Sequence, residues 1–285
     1  MTESAVPQSF MSRRDPGFIA SPASLTARLR AAGCVFAEEE ARLLAASATS
    51  AEHLDALVER RAEGVPLEHL LGWAEFCGLR IGVAAGVFVP RRRTEFLVRQ
   101  AATLLRESGQ PLNAARGTRP PVVVDLCCGS GAVGAALLAL SGPAELHASD
   151  IDPAAVACAR RNLSPLGGAV YQGDLYDPLP ERLRGLVQVL AVNAPYVPSA
   201  GIRTMPQEAR LHEPLVSLDG GADGLDVQRR VAAEAPQWLA PGGHLLVETS
   251  LRQAPLTVDL FLRNGLTAQV ASSEELDATV VIGRS

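Results

Sequence analysis

Between residues 121 and 282 the chain alternates short apolar, β-branched runs with stretches of helical period, and no other feature constrains its fold as strongly. Residues 121–126, 145–149, 169–171, 186–192, 244–248 and 279–282 read as strands. Residues 132–140, 153–163, 225–239 and 255–263 read as helices, and Pro153 suits the first turn of the second. Strands joined through helices of this length pair in parallel, so the expectation is an α/β fold: a doubly wound sheet with helices on both faces.

Upstream of that alternation the pattern changes. Residues 1–20 carry Pro7, Pro16 and Gly17 with no sustained period and read as a flexible polar tail. Residues 21–72 read as a small domain of three short helices, with Leu25, Leu29, Leu43, Leu44, Leu54 and Leu57 at helical spacing and Gly33 and Gly64 as stops. Ser50 suits the N-cap of the third, with Glu52 in its first turn. Residues 73–84 alternate around Gly78 as a hairpin linker, and 85–285 form the large domain.

Composition removes several chemistries. All 26 basic residues are arginine, so there is no lysine for a Walker A phosphate loop, a pyridoxal Schiff base or an amine nucleophile. The five cysteines (Cys34, Cys77, Cys127, Cys128, Cys158) include no C-x-x-C pair, and the five histidines are scattered. A reduced protein without a metal site is expected. No apolar stretch is long enough for a membrane span, and Arg13, Arg14 and Asp15 interrupt any signal-peptide core, so a cytoplasmic location is expected. The net charge of −5 argues against a direct nucleic-acid binder, whose footprint is basic.

The first strand of the large domain runs into Asp125-Leu126-Cys127-Cys128-Gly129-Ser130-Gly131 and then a helix. A turn of this kind lets backbone approach a ligand at the carboxyl end of a parallel sheet. About 20 residues on, Asp150 ends the second strand, where a carboxylate can accept hydrogen bonds from both hydroxyls of a ribose. Nicotinamide cofactors use a related layout. Asp125 leans away from them, because a carboxylate suits a cationic amino-acid moiety better than a pyrophosphate. Cys127 stands where glycine is usual; it reads as a small inert thiol whose φ must stay below zero.

Val192-Asn193-Ala194-Pro195-Tyr196 follows the fourth strand. An amide nitrogen is a poor nucleophile because its lone pair is delocalised. Two acceptors holding its two N–H bonds can draw it towards tetrahedral geometry and aim the lone pair at a methyl donor. The Asn193 side-chain oxygen can be one acceptor and the Ala194 carbonyl the other. Pro195 stiffens the preceding residue in extended geometry, and Tyr196 offers a flat face for a planar substrate.

With these residues in place, the chain resembles the HemK (PrmC-like) family of protein N(5)-glutamine methyltransferases from about residue 37 to its C-terminus. The family's Asn-Pro-Pro-Tyr is matched by Asn193-Ala194-Pro195-Tyr196. Other matching stretches are Gly64-Val65-Pro66-Leu67, Val89-Pro90-Arg91 with Thr94-Glu95, Gly173-Asp174-Leu175, Glu213-Pro214, and Gly220-Gly221 with Asp223-Gly224-Leu225. The resemblance implies a Rossmann-like, seven-stranded class I methyltransferase domain that binds S-adenosyl-L-methionine, behind a helical domain that recognises a protein substrate. It implies cofactor contacts at 127–131, Asp150 with Ile151, Asp174 with Leu175, and Asn193. It also implies substrate contacts at 193–196 and at Glu213. The implied substrate is a glutamine in the Gly-Gly-Gln loop of a release factor, or in a ribosomal protein, and the enzyme is expected to act as a monomer.

The departures from the family are Ala194 for the first proline, Cys127 for a glycine, Glu68-His69 for Gln-Tyr, and Arg92-Arg93 for a proline and an acid. Arginines 91–93 read as a solvated helix start or as contacts to an acidic substrate or the cofactor carboxylate. Two other readings compete: methylation of an exocyclic nucleobase amine, which presents a similar planar –NH₂, and a non-catalytic protein that kept the fold.

Overall fold

The computed structural model describes residues 21–107 and 120–285; the tail read at 1–20 lies outside them. The described residues fall into two compact units, divided between Leu71 and Gly72.

The first unit holds helices α1 (Pro22–Ala31), α2 (Ala37–Ser47), α3 (Ala51–Ala62) and the short α4 (Leu67–Leu71). Leu25, Leu29, Leu44, Leu57 and Val58 bury one apolar stripe from each of the first three helices. Ser50 caps α3 as expected, accepting from the His53 amide at 3.1 Å. Inside this unit Arg61 donates to the nearly buried Glu40 at 2.6 Å. The five-residue α4 lies beyond the three helices expected.

The second unit opens with a hairpin of β1 (Trp73–Phe76) and β2 (Leu79–Gly82), turning through Cys77-Gly78. Helix α5 (Glu95–Glu107) follows, burying Leu97, Val98, Ala101, Ala102 and Leu105 along one face. The alternation then runs β3 (Val122–Leu126), α6 (Ala132–Ser141), β4 (Glu145–Asp150), α7 (Pro153–Leu163), β5 (Ala169–Gln172) and β6 (Val187–Val192). Beyond the short α8 (Gln207–His212) come α9 (Asp226–Trp238), β7 (Leu239–Thr249), α10 (Ala254–Arg263), β8 (Thr267–Ser273) and β9 (Ala278–Arg284).

Seven of these strands form one Rossmann-like sheet, in the order β5-β4-β3-β6-β7-β9-β8. The chain builds outward from β3 to β5 and then returns to place β6 beside β3, so strand order reverses there. A crevice opens at such a reversal, beyond the carboxyl ends of the strands. Every residue of β3 is buried, as expected for a central parallel strand covered on both faces. Strands β7 and β9 pair antiparallel, as do β8 and β9. In β6 the register shifts between Val187 and Val189, and the Gln188 side chain accepts the Val122 amide at 2.6 Å. The doubly wound core is as expected; β8 and helix α8 are additions to it, and α5 continues from the helix start read at 91–93.

Candidate active site

A cavity of about 360 Å³ lies at the reversal, walled by residues from the ends of β3, β4 and β6 and from the segments that follow them. Its size suits a small-molecule ligand.

The turn after β3 forms one wall. Cys127 has φ 54, Gly129 φ 54 and Gly131 φ 80. The expectation of negative φ at Cys127 is therefore wrong: the turn leaves β3 in a left-handed step at this very residue. That step is strained for any residue with a Cβ, which accounts for glycine being usual there. The Cys128 amide donates to the Ser149 carbonyl at 3.1 Å, tying the turn to β4. Nothing lies within 4 Å of where a Cβ on Gly129 would sit, so the missing side chain leaves ligand space along the backbone. Gly131 does not line the cavity. A Cβ there would approach Leu163 to 2.9 Å, so its smallness serves the packing of α6 on α7.

Carboxylates surround this end. Asp150 accepts the Gly129 amide at 2.8 Å and the Asp152 amide at 2.9 Å, which fixes its carboxyl beside the turn. Burial pushes it up, against the pull of those amides. Asp125 is buried and accepts the Gly134 amide at 2.9 Å. Burial pushes its carboxyl up to about 7; the Gly134 bond opposes this and the charge on Asp150 adds to it. Ile151 and Leu175 supply apolar wall. Leu175 is also left-handed, at φ 47, and its carbonyl accepts the Ser149 hydroxyl at 2.7 Å. Asp174 pairs with Arg230 at 2.8 Å. Burial raises both the Cys127 and Cys128 thiols, so neither is a thiolate nucleophile. Acidic groups with an open backbone cradle fit a cationic, ribose-bearing ligand.

The other wall is the segment after β6. Asn193, Ala194, Pro195 and Tyr196 all line the same cavity as the turn. Asn193 Nδ2 donates to Thr94 Oγ1 at 3.2 Å, which leaves Oδ1 as an available acceptor. Gln253 Nε2 donates to the carbonyls of Tyr196 at 2.9 Å and Asp223 at 3.0 Å, clamping the segment from behind. The loop bearing Gly224 packs so closely that a Cβ there would lie 2.2 Å from the Tyr196 carbonyl. The Tyr196 hydroxyl donates to Glu248 at 3.4 Å. Burial and then the Glu248 charge push this phenol up to about 12, so it stays a donor.

Of arginines 91–93, Arg91 and Arg93 line the cavity and Arg92 does not. Arg91 pairs with Glu213 and lies over the Phe88 ring. Arg93 lines the cavity near Tyr196, and its charge pulls that phenol downward. Glu213 does not line the cavity. Its buried carboxylate accepts from Arg91 and from the Val89 amide at 3.1 Å, joining residues 89–91 to the segment after α8. Thr94 and Glu248 carry no assigned role from sequence, yet both line the cavity. The sequence signal for Glu248 is an acid ending the otherwise apolar 245–248 run.

Among the described residues no group of histidine, cysteine and acidic side chains could hold a metal ion, and no helix is long and apolar enough to cross a membrane.

Residues 110–199 match the family model of the methyltransferase small domain. The chain is 37% identical over 211 residues to the release factor glutamine methyltransferase of Geobacter sulfurreducens, covering 73% of this chain and 69% of that one. It is 34% identical over 269 residues to that of Mycolicibacterium smegmatis, covering 88% and 91%. A third relative, 37% identical over 215 residues and covering 75% and 71%, is the 4-amino-L-phenylalanine/4-methylamino-L-phenylalanine methyltransferase of Streptomyces pristinaespiralis.

Proposed function

Because this chain belongs to the release factor glutamine methyltransferase family, we propose that it methylates the side-chain amide nitrogen of a glutamine in a peptide chain release factor. The observation that carries the reading is the meeting of two walls in one cavity: the carboxylate-lined turn after β3 and the acceptors of Asn193-Ala194.

S-adenosyl-L-methionine, when bound, supplies the methyl group from its sulfonium. Asp150 is placed to accept from ribose hydroxyls, Gly129 leaves the backbone open to close approach, and Asp125 suits a cationic ammonium. Ile151, Asp174 and Leu175 complete that wall, with Cys127, Cys128 and Ser130 contributing backbone. At the reacting wall, Asn193 Oδ1 and the Ala194 carbonyl each accept one N–H of the substrate carboxamide. That grip weakens the delocalisation of its lone pair and aims it across the cavity. Preorganisation comes from Pro195, from the Gln253 clamp and from the Gly224 contact, so little ordering remains to be done on binding. The low-dielectric walls strengthen each of these hydrogen bonds. The amide proton departs after transfer, when the nitrogen has become acidic, so no strong base has to act first.

In this reading residues 21–72 recognise the substrate protein, 73–84 link, and 85–285 carry out transfer. Val35 and Phe36, 84% and 69% exposed between α1 and α2, support a protein-recognition role for the helical unit. A substrate used in translation puts the enzyme in the cytoplasm.

The second reading is an aromatic amine, favoured by the similarity to the 4-amino-L-phenylalanine methyltransferase. An arylamine presents a planar –NH₂ to the same two acceptors. Mass spectrometry after incubation with cofactor separates the two. The proposal expects a single methyl increment on the glutamine of a release factor's Gly-Gly-Gln loop. An unmodified release factor alongside methylated 4-amino-L-phenylalanine would replace it.

A further inference from the structure

An asparagine amide has an acceptor at one end and a donor at the other, and only the acceptor end can hold a substrate N–H. Something must therefore decide which end of Asn193 faces the cavity. Asn193 Nδ2 lies 3.2 Å from Thr94 Oγ1. A hydroxyl can accept from that –NH₂ or donate to the amide oxygen, so Thr94 sets the direction only if its own hydrogen is turned elsewhere.

A neighbour able to take that hydrogen is Glu248, which lines the same cavity. An ionised carboxylate accepts and never donates. Glu248 is 2% exposed, lines the cavity and receives the Tyr196 hydroxyl on Oε1. Its Oε2 is buried with no hydrogen-bond partner among the described residues, a costly state that a nearby hydroxyl relieves. Thr94 is equally buried; burial pushes the Glu248 carboxyl up, and hydrogen bonding with Thr94 leads the contacts that oppose that rise, ahead of the Arg93 charge and the Tyr196 hydroxyl.

We propose that Thr94 and Glu248 are positioning residues that set the polarity of the reacting wall. Glu248 takes the hydroxyl hydrogens of Thr94 and Tyr196, the Thr94 oxygen then accepts from Asn193 Nδ2, and Asn193 Oδ1 is left facing the cavity. This rests on the reading of Asn193 as the residue that grips the amide.

Packing and polarity predict opposite orders for two variants. Valine keeps the shape of threonine and loses the hydroxyl; serine keeps the hydroxyl and leaves a methyl-sized gap. Turnover on a release factor and solvent exchange of the Asn193 side-chain amide, the latter by NMR on protein isotope-labelled at asparagine, are measured for both. The expected result is a fall in kcat on the order of 10- to 100-fold for Thr94→Val, with cofactor Kd little changed and exchange protection at Asn193 lost. Thr94→Ser should retain protection and stay within a few-fold of wild type. Glu248→Gln, which adds a donor where an acceptor is needed, should behave like the valine variant. Valine matching or exceeding serine, or equal protection of Asn193 in both, overturns the proposal. Failure of the wild type to methylate a release factor overturns the glutamine reading instead, and the exchange measurement still decides the polarity.

Discussion

One guanidinium nitrogen of Arg91 sits 2.7 and 2.6 Å from the two carboxylate oxygens of Glu213, across a sequence separation of 122 residues. Glu213 is also the acceptor for the Val89 amide. This one carboxylate joins the segment entering α5 to the segment following α8, and both carry residues of the cavity wall.

Removing it should loosen that wall without touching the turn after β3. Glu213→Ala should cost about 1–3 kcal/mol of stability, below the full cost of a buried pair because the Arg91 side chain is partly exposed. KM for the protein substrate should rise while cofactor Kd holds. Chemical denaturation together with steady-state kinetics checks both. An unchanged KM would leave Glu213 a purely structural tie.

Asp150 is bonded to two backbone amides at the edge of the turn. Asp150→Ala removes both anchors along with the acceptor proposed for ribose, and should weaken S-adenosyl-L-methionine binding by about 1.5–3 kcal/mol. Calorimetric titration measures this directly, and an unaltered Kd would remove Asp150 from the cofactor site.

Asp125 gives a pH dependence of stability. Its folded value of about 7 lies above the ordinary 3.8 because of burial, so between those values the folded protein holds more protons than the unfolded chain. Its contribution therefore worsens as pH rises through that window and levels off above about 7. At about 1.4 kcal/mol per pKa unit, cofactor-free wild type should lose on the order of 2 kcal/mol relative to Asp125→Asn between pH 5.5 and 8. Denaturation at the two pH values checks it, and parallel behaviour of the two proteins would show the carboxyl to be ionised throughout.

Cys127 holds a left-handed conformation with a Cβ in place. Two substitutions that both delete the thiol isolate that strain. Cys127→Gly should be more stable than Cys127→Ala by about 1 kcal/mol, read as a difference in unfolding midpoint with cofactor affinity retained.

The parts of this protein that sequence makes legible are those where burial leaves a period. Strands β3 and β6 read as apolar runs because both of their faces are covered, and the Ser50 cap follows from hydrogen-bonding chemistry local to α3. Strand β8 leaves no such run: Thr267–Ser273 lies at the sheet's edge with most positions open to solvent, so polar and small residues satisfy it. The stripe of α5 is present at helical spacing but sits among polar residues behind an arginine run. At the site, the turn and the Asn193 motif are contiguous in sequence and therefore readable. The sign of φ at Cys127 is not legible in sequence, because the path of the chain leaving β3, not the residue's own preference, decides it. The Glu213–Arg91 tie and the meeting of Thr94 with Glu248 depend on the folding together of distant segments, and nothing local encodes them.

The central claim is that the Asn193 carboxamide holds the substrate nitrogen for methylation. Its most direct test is methyl transfer to a release factor by Asn193→Ala, measured beside cofactor affinity on the same preparation. The account predicts that transfer is abolished while the Kd for S-adenosyl-L-methionine stays within a few-fold of wild type. Transfer at the wild-type rate would contradict it.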